Sequence, residues 1–416
     1  MPRILICLFL FVCSASFAQD WARWRGPDNT GAVPANVAVP TGLPDPLKEV
    51  WRVPIGYGNS SPVVSGGKVF YLDNLQEKET AHAADAATGN VIWSVTLDDA
   101  FKDQQSPSGP RCTPVVDGDR VYLQSLKGEF QCLNSASGKL IWGCNFSKDY
   151  GAVFIGEKGD AVGAARHGNT GSPTVDGERI LVQVGGPNGA SVVCFNKRNG
   201  KVIWKSQNDV PGYAPPVIAT LGGVKQVISF TAEAVIGLDD KTGSLLWRYP
   251  IKTAYGRHAV TPVVVDDMVM VSSNNAGLMG LKINKTSAGF TATRVWGTKQ
   301  YTLNYASPVA VGKFLFGLGP MNTLFCVDIK TGEKAWAEER FFSEMVNTEY
   351  ASFMVMHNNL LILTDMGKLL MVAADPKGLK LISKVTACGK NWCYPAYAGG
   401  RLYLRDDKNL YCLQLL

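Results

Sequence analysis

The sequence has no run of five or six basic residues, although its formal net charge is +6. It therefore lacks the concentrated positive charge of a nucleic-acid-binding surface, and we expect no nucleic-acid partner. After the first 18 residues, no stretch reaches the roughly 18 apolar residues that a membrane-spanning helix needs, so we expect no transmembrane segment. The 4 histidines are dispersed along the chain and predict no metal site.

Common catalytic signatures are also missing. The sequence contains no Gly-x-Ser-x-Gly, no Gly-x-x-x-x-Gly-Lys-Ser/Thr, no His-Glu-x-x-His and no calcium-loop pattern. Disorder is excluded as well, because 46% of the residues are hydrophobic and only 18% are charged. We therefore expect a globular protein with a core, and we predict no catalytic residue.

Residues 1–18 have the pattern of a cleavable signal peptide. A basic residue precedes the apolar stretch 4–12, and small residues flank the phenylalanine of 16–18. We predict cleavage before Gln19 and a periplasmic or secreted mature protein. Cys13 leaves lipidation as an alternative.

A hairpin pattern recurs along the chain. In its fullest copy, Ala83 to Trp93, one strand ends at Asp85, Gly89 reverses the chain, and a second strand carries the tryptophan. Aspartate caps turn amides and glycine accepts a positive φ, so each copy predicts a β-hairpin. Further copies run from Cys132 to Trp142, Cys194 to Trp204, Gly237 to Trp247 and Cys326 to Trp336, and weaker ones surround Trp51, Trp296 and Ile382.

A second landmark, usually a proline after serine or threonine, precedes each hairpin. It stands at Pro62, Pro114, Pro173, Pro216, Pro262, Pro308, Phe353 and Pro395. A turn and an alternating strand follow each one, which makes eight units of four short strands. The tryptophans lie 40 to 62 residues apart, the spacing of propeller blades. We predict an all-β, eight-bladed β-propeller of four-stranded antiparallel blades.

The last unit ends one strand short. The segment 49–53 precedes the first landmark and has no unit of its own, so we predict that this N-terminal strand closes the last blade. The predicted organisation is a signal peptide at 1–18, an N-terminal arm at 19–47 and a propeller domain at 48–416.

The pattern Ala-x-Asp-x-x-Thr-Gly-x-x-x-Trp at Ala83 to Trp93 resembles the tryptophan-docking motif of the pyrroloquinoline-quinone (PQQ) repeat propellers. That superfamily includes the quinoprotein alcohol dehydrogenases and BamB, and the segment 21–27 is similar to the start of many exported PQQ-like propellers. The resemblance implies that the tryptophans stack between blades as structural residues: Trp51, Trp93, Trp142, Trp204, Trp247, Trp296 and Trp336. It does not by itself imply a bound quinone.

Three functions stay open at this point. Quinoprotein dehydrogenases of this fold usually carry two adjacent cysteines, and neither that pair nor a Cys-x-x-Cys-His haem site occurs here. We therefore favour a BamB-like, non-catalytic binding or scaffold module. The first alternative is an oxidoreductase holding PQQ and a divalent ion near Glu349, Asn304 and Asp365. The second is a carbohydrate-binding or carbohydrate-active propeller that uses Tyr305, Tyr350 and Trp392.

The cysteines are predicted to have two roles. Cys132, Cys194, Cys326 and Cys412 occupy the inward position that Ala83 holds in the fullest hairpin copy, where a thiol packs as a small apolar group. Cys388 and Cys393 are close in sequence and are predicted to lie in an oxidising compartment, so a disulfide between them is an open alternative.

The mouth of the central channel is the predicted ligand site, because each innermost strand starts there. The residues three and four before each landmark should surround it, with three more just upstream. The set is Asn59, Arg111, Arg166, His167, Asn169, Tyr213, Arg257, His258, Asn304, Tyr305, Glu349, Tyr350, Asn391 and Trp392. These residue types suit a protein partner or a polar or carbohydrate ligand. The long link at 145–171 should project from the same face. We expect a monomer.

Overall fold

The chain folds into a ring of eight four-stranded antiparallel sheets, which confirms the predicted all-β propeller. The computed structural model describes residues 20–102, 104, 108–342 and 350–416. The predicted signal peptide and its cleavage site lie outside these residues. The innermost strands of neighbouring blades contact each other around a central channel. No helix in the described part of the chain is long and apolar enough to cross a membrane.

The first four blades lie between residues 63 and 250. Blade 1 contains β2 (Val63–Ser65), β3 (Lys68–Leu75), β4 (Lys78–Asp85) and β5 (Val91–Asp99); blade 2 contains β6 (Val115–Asp117), β7 (Arg120–Gln124), β8 (Glu129–Asn134) and β9 (Leu140–Asn145). Blade 3 contains β10 (Thr174–Asp176), β11 (Arg179–Gln183), β12 (Val192–Asn196) and β13 (Val202–Ser206); blade 4 contains β14 (Val217–Leu221), β15 (Val224–Phe230), β16 (Ala234–Asp239) and β17 (Leu245–Pro250).

The other four blades complete the ring. Blade 5 contains β18 (Val263–Val265), β19 (Met268–Ser273), β20 (Gly277–Thr286) and β21 (Gly289–Thr298); blade 6 contains β22 (Val309–Val311), β23 (Phe314–Gly319), β24 (Thr323–Asp328) and β25 (Lys334–Glu338). Blade 7 contains β26 (Ala351–Met356), β27 (Asn359–Thr364), β28 (Lys368–Ala373) and β29 (Leu381–Thr386); blade 8 contains β30 (Ala396–Ala398), β31 (Arg401–Arg405), β32 (Asn409–Gln414) and β1 (Lys48–Pro54). Two short helices, α1 (Phe146–Tyr150) and α2 (Gly163–His167), and a 3-10 turn (Pro320–Asn322) interrupt the strands.

Strand direction gives the ring two different faces. Each innermost strand starts at the face that carries the links between blades, such as 207–216, and we name this the loop face. The opposite face carries the turns between third and fourth strands, such as 240–244, and we name it the turn face. On the turn face the predicted capping is present: an Asp85 carboxylate oxygen accepts from the Ala87 and Thr88 amides, and Gly89 has φ +77°.

The repeated tryptophans join neighbouring blades. Trp204, for example, donates from Nε1 to the Asp240 carbonyl of the next blade at 3.1 Å, and a Cβ on Gly243 would lie 2.5 Å from its ring. Trp51, Trp93, Trp142, Trp296 and Trp336 donate in the same way to Ala86, Ser135, Lys197, Ile329 and Asp375. The motif glycine is therefore required both for its positive φ and for contact with the indole.

Trp247 departs from this arrangement. Its Nε1 donates to Gln226 Oε1 in its own blade at 2.7 Å. The next hairpin, β20–β21, has strands of 10 residues each, so its turn lies farther out than in the other blades.

The N-terminal strand closes the ring, as predicted. β1 pairs antiparallel with β32, from Lys48 opposite Gln414 to Pro54 opposite Asn409. Trp51 is only 8% exposed and links this last blade to blade 1 through its bond to Ala86, and Tyr403 also donates to that carbonyl. This pairing covers the outer edge of β32 and gives blade 8 its fourth strand.

The arm before β1 runs through the central channel, which the sequence did not predict. It enters near the turn face, where the Asp20 carboxylate accepts from the Ser65 hydroxyl. Residues of 21–38 then contact seven blades, either at the inner strand or at the one or two residues before it. The pairs are Trp21 with Val64, Ala22 with Val116, Arg23 with Val175, Trp24 with Thr261, Arg25 with Pro308, Val33 with Val355 and Ala38 with Tyr397. The arm therefore fills the turn-face end of the channel.

The cysteines pack largely as predicted. Cys132, Cys194, Cys326 and Cys412 are each 0% exposed. The alternative disulfide is not formed: Cys388 and Cys393 are both free thiols. The Cys393 sulfur faces the Ser60 carbonyl of blade 1, whereas that of Cys388 lies beside the Gly389 carbonyl and the Asn391 amide, so the two side chains point to different surroundings.

Candidate functional site

A cavity of about 420 Å³ opens at the loop-face end of the channel. Every blade contributes to it the residue three positions before its landmark: Asn59, Arg111, Thr170, Tyr213, Ala259, Tyr305, Tyr350 and Trp392. Six of these eight were predicted; Thr170 and Ala259 were not. The rule of three positions therefore locates the cavity wall in all eight blades.

The residues four positions before the landmark do not line this cavity. Successive side chains of an extended segment point to opposite sides, so when one position faces the channel its neighbour faces the blade. Four residues predicted at this position are therefore not part of the wall: Asn169, which lines a second cavity instead, His258, Asn304 and Asn391. Glu349 lies outside the described residues.

His258 shows where such a residue goes instead. It is 0% exposed, its Nδ1 contacts the Thr231 carbonyl at 2.6 Å, and its ring stacks on Phe230 at 4.2 Å. Burial lowers the pKa of His258 to about 4, so it is neutral at physiological pH. His258 is therefore a core residue.

Two of the three upstream candidates line the cavity and one does not. Arg257 and His167 line the cavity, whereas Arg166 does not. Arg166 instead lies over the Tyr255 ring at 4.7 Å, and Arg257 lies over the same ring at 4.8 Å.

Sequence reasoning missed five further cavity residues with polar or aromatic side chains: Trp24, Tyr57, Ser172, Lys390 and Asp407. Tyr57 and Lys390 lie five positions before their landmarks, so the same alternation would have found them. Trp24 comes from the N-terminal arm and forms the floor, where its ring lies 4.5 Å from that of Tyr394. No local pattern could place it there.

Three aromatic side chains of the wall form one cluster. Tyr350 and Trp392 stack with ring centroids 5.2 Å apart and an interplanar angle of 8°, and Tyr305 lies 5.3 Å from Trp392 at a tilt of 46°. These are the residues predicted together for a carbohydrate site. Their roles as ligand contacts stay predictions.

The wall also carries more positive than negative charge. Arg111, Arg257 and Lys390 line it, and Asp407 is its one acid among the described residues. Burial raises the pKa of Asp407. Arg111 reaches the His167 carbonyl with Nη1 at 3.5 Å, which joins it to α2. The cavity therefore favours ligands that carry negative charge.

The residues predicted for a PQQ and metal site do not form a described cluster. Asp365 is buried at 2% exposure, and its backbone carbonyl accepts from the Asn391 amide. Among the described ranges, no group of three or more His, Cys, Asp and Glu side chains is placed to hold a metal ion. The cofactor alternative stays a prediction that the geometry does not test, because Glu349 falls outside the described ranges.

A second and larger cavity, a groove of about 750 Å³, lies on the same face. The long link at 145–171, which we name the insertion, forms most of it. The Asn145 side chain caps α1 by accepting from the Lys148 amide, and Gly151 ends that helix at φ +71°. The chain then runs without regular structure to α2, whose Ala164 amide donates to Pro211 of the next loop.

The groove is mainly apolar. Its lining includes Phe146, Ala152, Val153, Phe154, Ile155, Ala161, Val162, Val184, Pro187, Val210 and Pro211, with Lys127, Lys158 and Asp160 also present. Val153 is 62% exposed and Ile155 is 47% exposed. Phe154, between them, also lines the groove and packs edge-on against Phe101 at 4.8 Å.

A relay of polar side chains crosses blade 1 outside both cavities. His82 contacts the Ser94 hydroxyl through Nδ1 at 2.7 Å and an Asp73 carboxylate oxygen through Nε2 at 2.9 Å. His82 and Ser94 are direct partners in the β4–β5 ladder. These contacts give both ring nitrogens of the buried His82 a hydrogen-bond partner, so a structural role accounts for them.

Comparison with known proteins gives one family match. The family described as outer membrane protein assembly factor BamB matches residues 45–150 and 78–338. A curated relative, the outer membrane protein assembly factor BamB of Shewanella oneidensis, is 21% identical over 338 residues, covering 75% of this chain and 75% of the relative.

Solved structures share the fold. BamB from Moraxella catarrhalis superposes with a TM-score of 0.59 at 15% identity, over 88% of this chain and 99% of that one. A quinohemoprotein alcohol dehydrogenase, ADHIIG from Pseudomonas putida HK5, gives 0.63 at 12% identity, over 95% of this chain and 80% of that one. Identities this low show the fold alone. On the family match, which spans most of the propeller, the chain belongs to the outer membrane protein assembly factor BamB family.

Proposed function

We propose that this protein is an exported, non-catalytic scaffold that binds components of outer-membrane protein assembly through the groove beside the insertion. Its family supports the class of partner, and the predicted signal peptide supports a periplasmic location. The observation that carries the proposal is the groove itself. It is large, apolar and open on the face where propeller loops vary most in length.

The partner segment expected there is apolar and extended. The groove volume accommodates several side chains, and two exposed aliphatic residues, Val153 and Ile155, stand at its edge. Exposed apolar groups bordered by polar ones are typical of protein-binding surfaces. Lys127, Lys158 and Asp160 supply polar groups of this kind.

The double variant Val153→Asp, Ile155→Asp should lose partner capture. Two carboxylates placed in an apolar interface are desolvated without a partner, so we expect at least about a tenfold fall in captured assembly components. The measurement is affinity capture from detergent-solubilised envelopes, with the outer-membrane assembly components quantified by mass spectrometry.

The matched control is Leu140→Asp, Ile141→Asp. These aliphatic residues of β9 are 61% and 40% exposed, and β9 starts at the turn face. Both double variants should keep the parent melting temperature, since all four side chains are exposed. Equal capture by both variants, or no assembly component captured by the parent protein, would contradict the proposal.

A further inference from the structure

The channel cavity is separate in chemistry from the groove. The N-terminal arm closes its lower end with Trp24, so it opens at the loop face only. Its wall combines an aromatic cluster with an excess of cations, whereas the groove is mainly apolar. A blind pocket with a few converging polar groups is the usual form of a small-molecule site.

The aromatic cluster provides a flat surface for a ring. The rings of Tyr350 and Trp392 are within 8° of parallel, so Tyr350 packs against one face of the indole. Tyr305, which is 37% exposed, borders the same indole. Aromatic faces bind flat or cyclic groups by stacking.

Arg257 is the cation best placed for a ligand. None of the ion pairs among the described residues includes Arg257, and its buried Nε has no hydrogen-bond partner. Its guanidinium lies over the Tyr255 ring, 4.8 Å from the ring centroid. A guanidinium that packs on an aromatic ring and has no carboxylate partner is suited to bidentate binding of a carboxylate.

One further buried group of the cavity wall lacks a hydrogen-bond partner. Tyr350 is 4% exposed, and its hydroxyl makes no hydrogen bond. Burial raises its pKa well above the usual value, so the hydroxyl keeps its proton and can donate. A buried hydroxyl without a partner calls for an explanation, and a bound anion that accepts from it supplies one.

We propose that the channel cavity binds a small ring-bearing carboxylate, with its ring on Trp392 and its carboxylate paired with Arg257. The ligand is either a carboxylated sugar or an aromatic acid, since both present a ring face and a carboxylate. This site is additional to the protein-binding groove and does not depend on it.

Titration calorimetry with D-glucuronate, benzene-1,3,5-tricarboxylate and D-glucose tests the inference. We expect binding of at least one acid and at least about tenfold weaker binding of glucose, because the neutral sugar lacks the charge-assisted pair. The acid that binds more tightly shows whether the cavity takes a carboxylated sugar or an aromatic acid. If neither acid binds at about 10 mM, or glucose binds as tightly as both acids, the inference is wrong.

Two variants localise the site. Arg257→Gln should weaken the acid at least about tenfold, whereas Arg294→Gln, an exposed arginine on β21 of the same blade, should leave it unchanged. Trp392→Ala should weaken the acid by a similar factor through loss of stacking. Equal effects of the two arginine variants would overturn the assignment. The groove variant Val153→Asp, Ile155→Asp should bind the acid normally, so failure of one proposal is distinguishable from failure of the other.

Discussion

A protein lacking residues 20–54 should lose its cooperative unfolding transition. The deletion removes β1, leaves β32 as an open edge and removes the arm from the channel. It also removes Trp51, which joins blade 8 to blade 1. Burial of one such tryptophan contributes about 3 to 5 kcal/mol, and loss of the whole ladder adds to this, against a typical total stability of about 5 to 15 kcal/mol. Differential scanning calorimetry measures the transition.

A point variant keeps this prediction testable if the truncated chain aggregates. Trp51→Ala retains the strand and should lower the free energy of unfolding by about 3 to 5 kcal/mol in urea titrations. Deletion of 20–31 alone, which keeps β1, should leave a cooperative transition. A protein lacking 20–54 that melts at the parent temperature would show that the ring is not closed by this strand.

Glu79→Gln should make the protein more stable than the parent at alkaline pH. Glu79 is 0% exposed on β4, and its carboxyl group accepts from the Leu126 amide at 3.2 Å. Burial raises its pKa to about 8, and the charged groups that face it are Asp98 on β5, Lys127, and Arg111.

The direction follows from proton binding. Between the ordinary glutamate pKa, about 4.3, and about 8, native Glu79 holds a proton that the unfolded chain has released, so stability falls as the pH rises. The loss is complete above about pH 8 and is on the order of 5 kcal/mol. Glutamine is neutral at every pH and keeps the acceptor, so the variant should escape this loss.

Urea titrations from pH 5 to pH 9 measure the effect as the difference between parent and variant. Other titrating groups cancel in that difference. Glu333→Gln, at an exposed position, is the control and should give a curve parallel to the parent. Parallel curves for Glu79→Gln as well would mean that Glu79 is ionised in the folded protein.

The blades could be predicted because their information is local. Asp85, Gly89 and Trp93 lie within one hairpin, and the physics of capping, positive φ and side-chain alternation acts over a few residues. Closure of the ring by Lys48–Pro54 followed from counting strands. Trp247 is the exception, since its partner depends on the length of the next hairpin.

The site could be predicted only in part. The residue three positions before each landmark faces the channel. The residue four positions before it, such as His258 or Asn391, is turned away by the alternation of the extended backbone. Trp24 and Arg25 could not be placed, because their contacts are with Thr261 and Pro308, more than 200 residues away in sequence. The insertion was expected on the correct face from its length, whereas the groove depends on its packing against Pro211.

Photo-crosslinking at position 153 tests the central claim most directly. A benzoylphenylalanine at Val153, 62% exposed in the groove, is compared with one at Leu140, 61% exposed near the turn face. Irradiation of intact cells followed by mass spectrometry of the adducts should give an outer-membrane assembly component at position 153 and not at position 140. Absence of such an adduct at 153, or equal yields at the two positions, would contradict a scaffold that binds through its loop face.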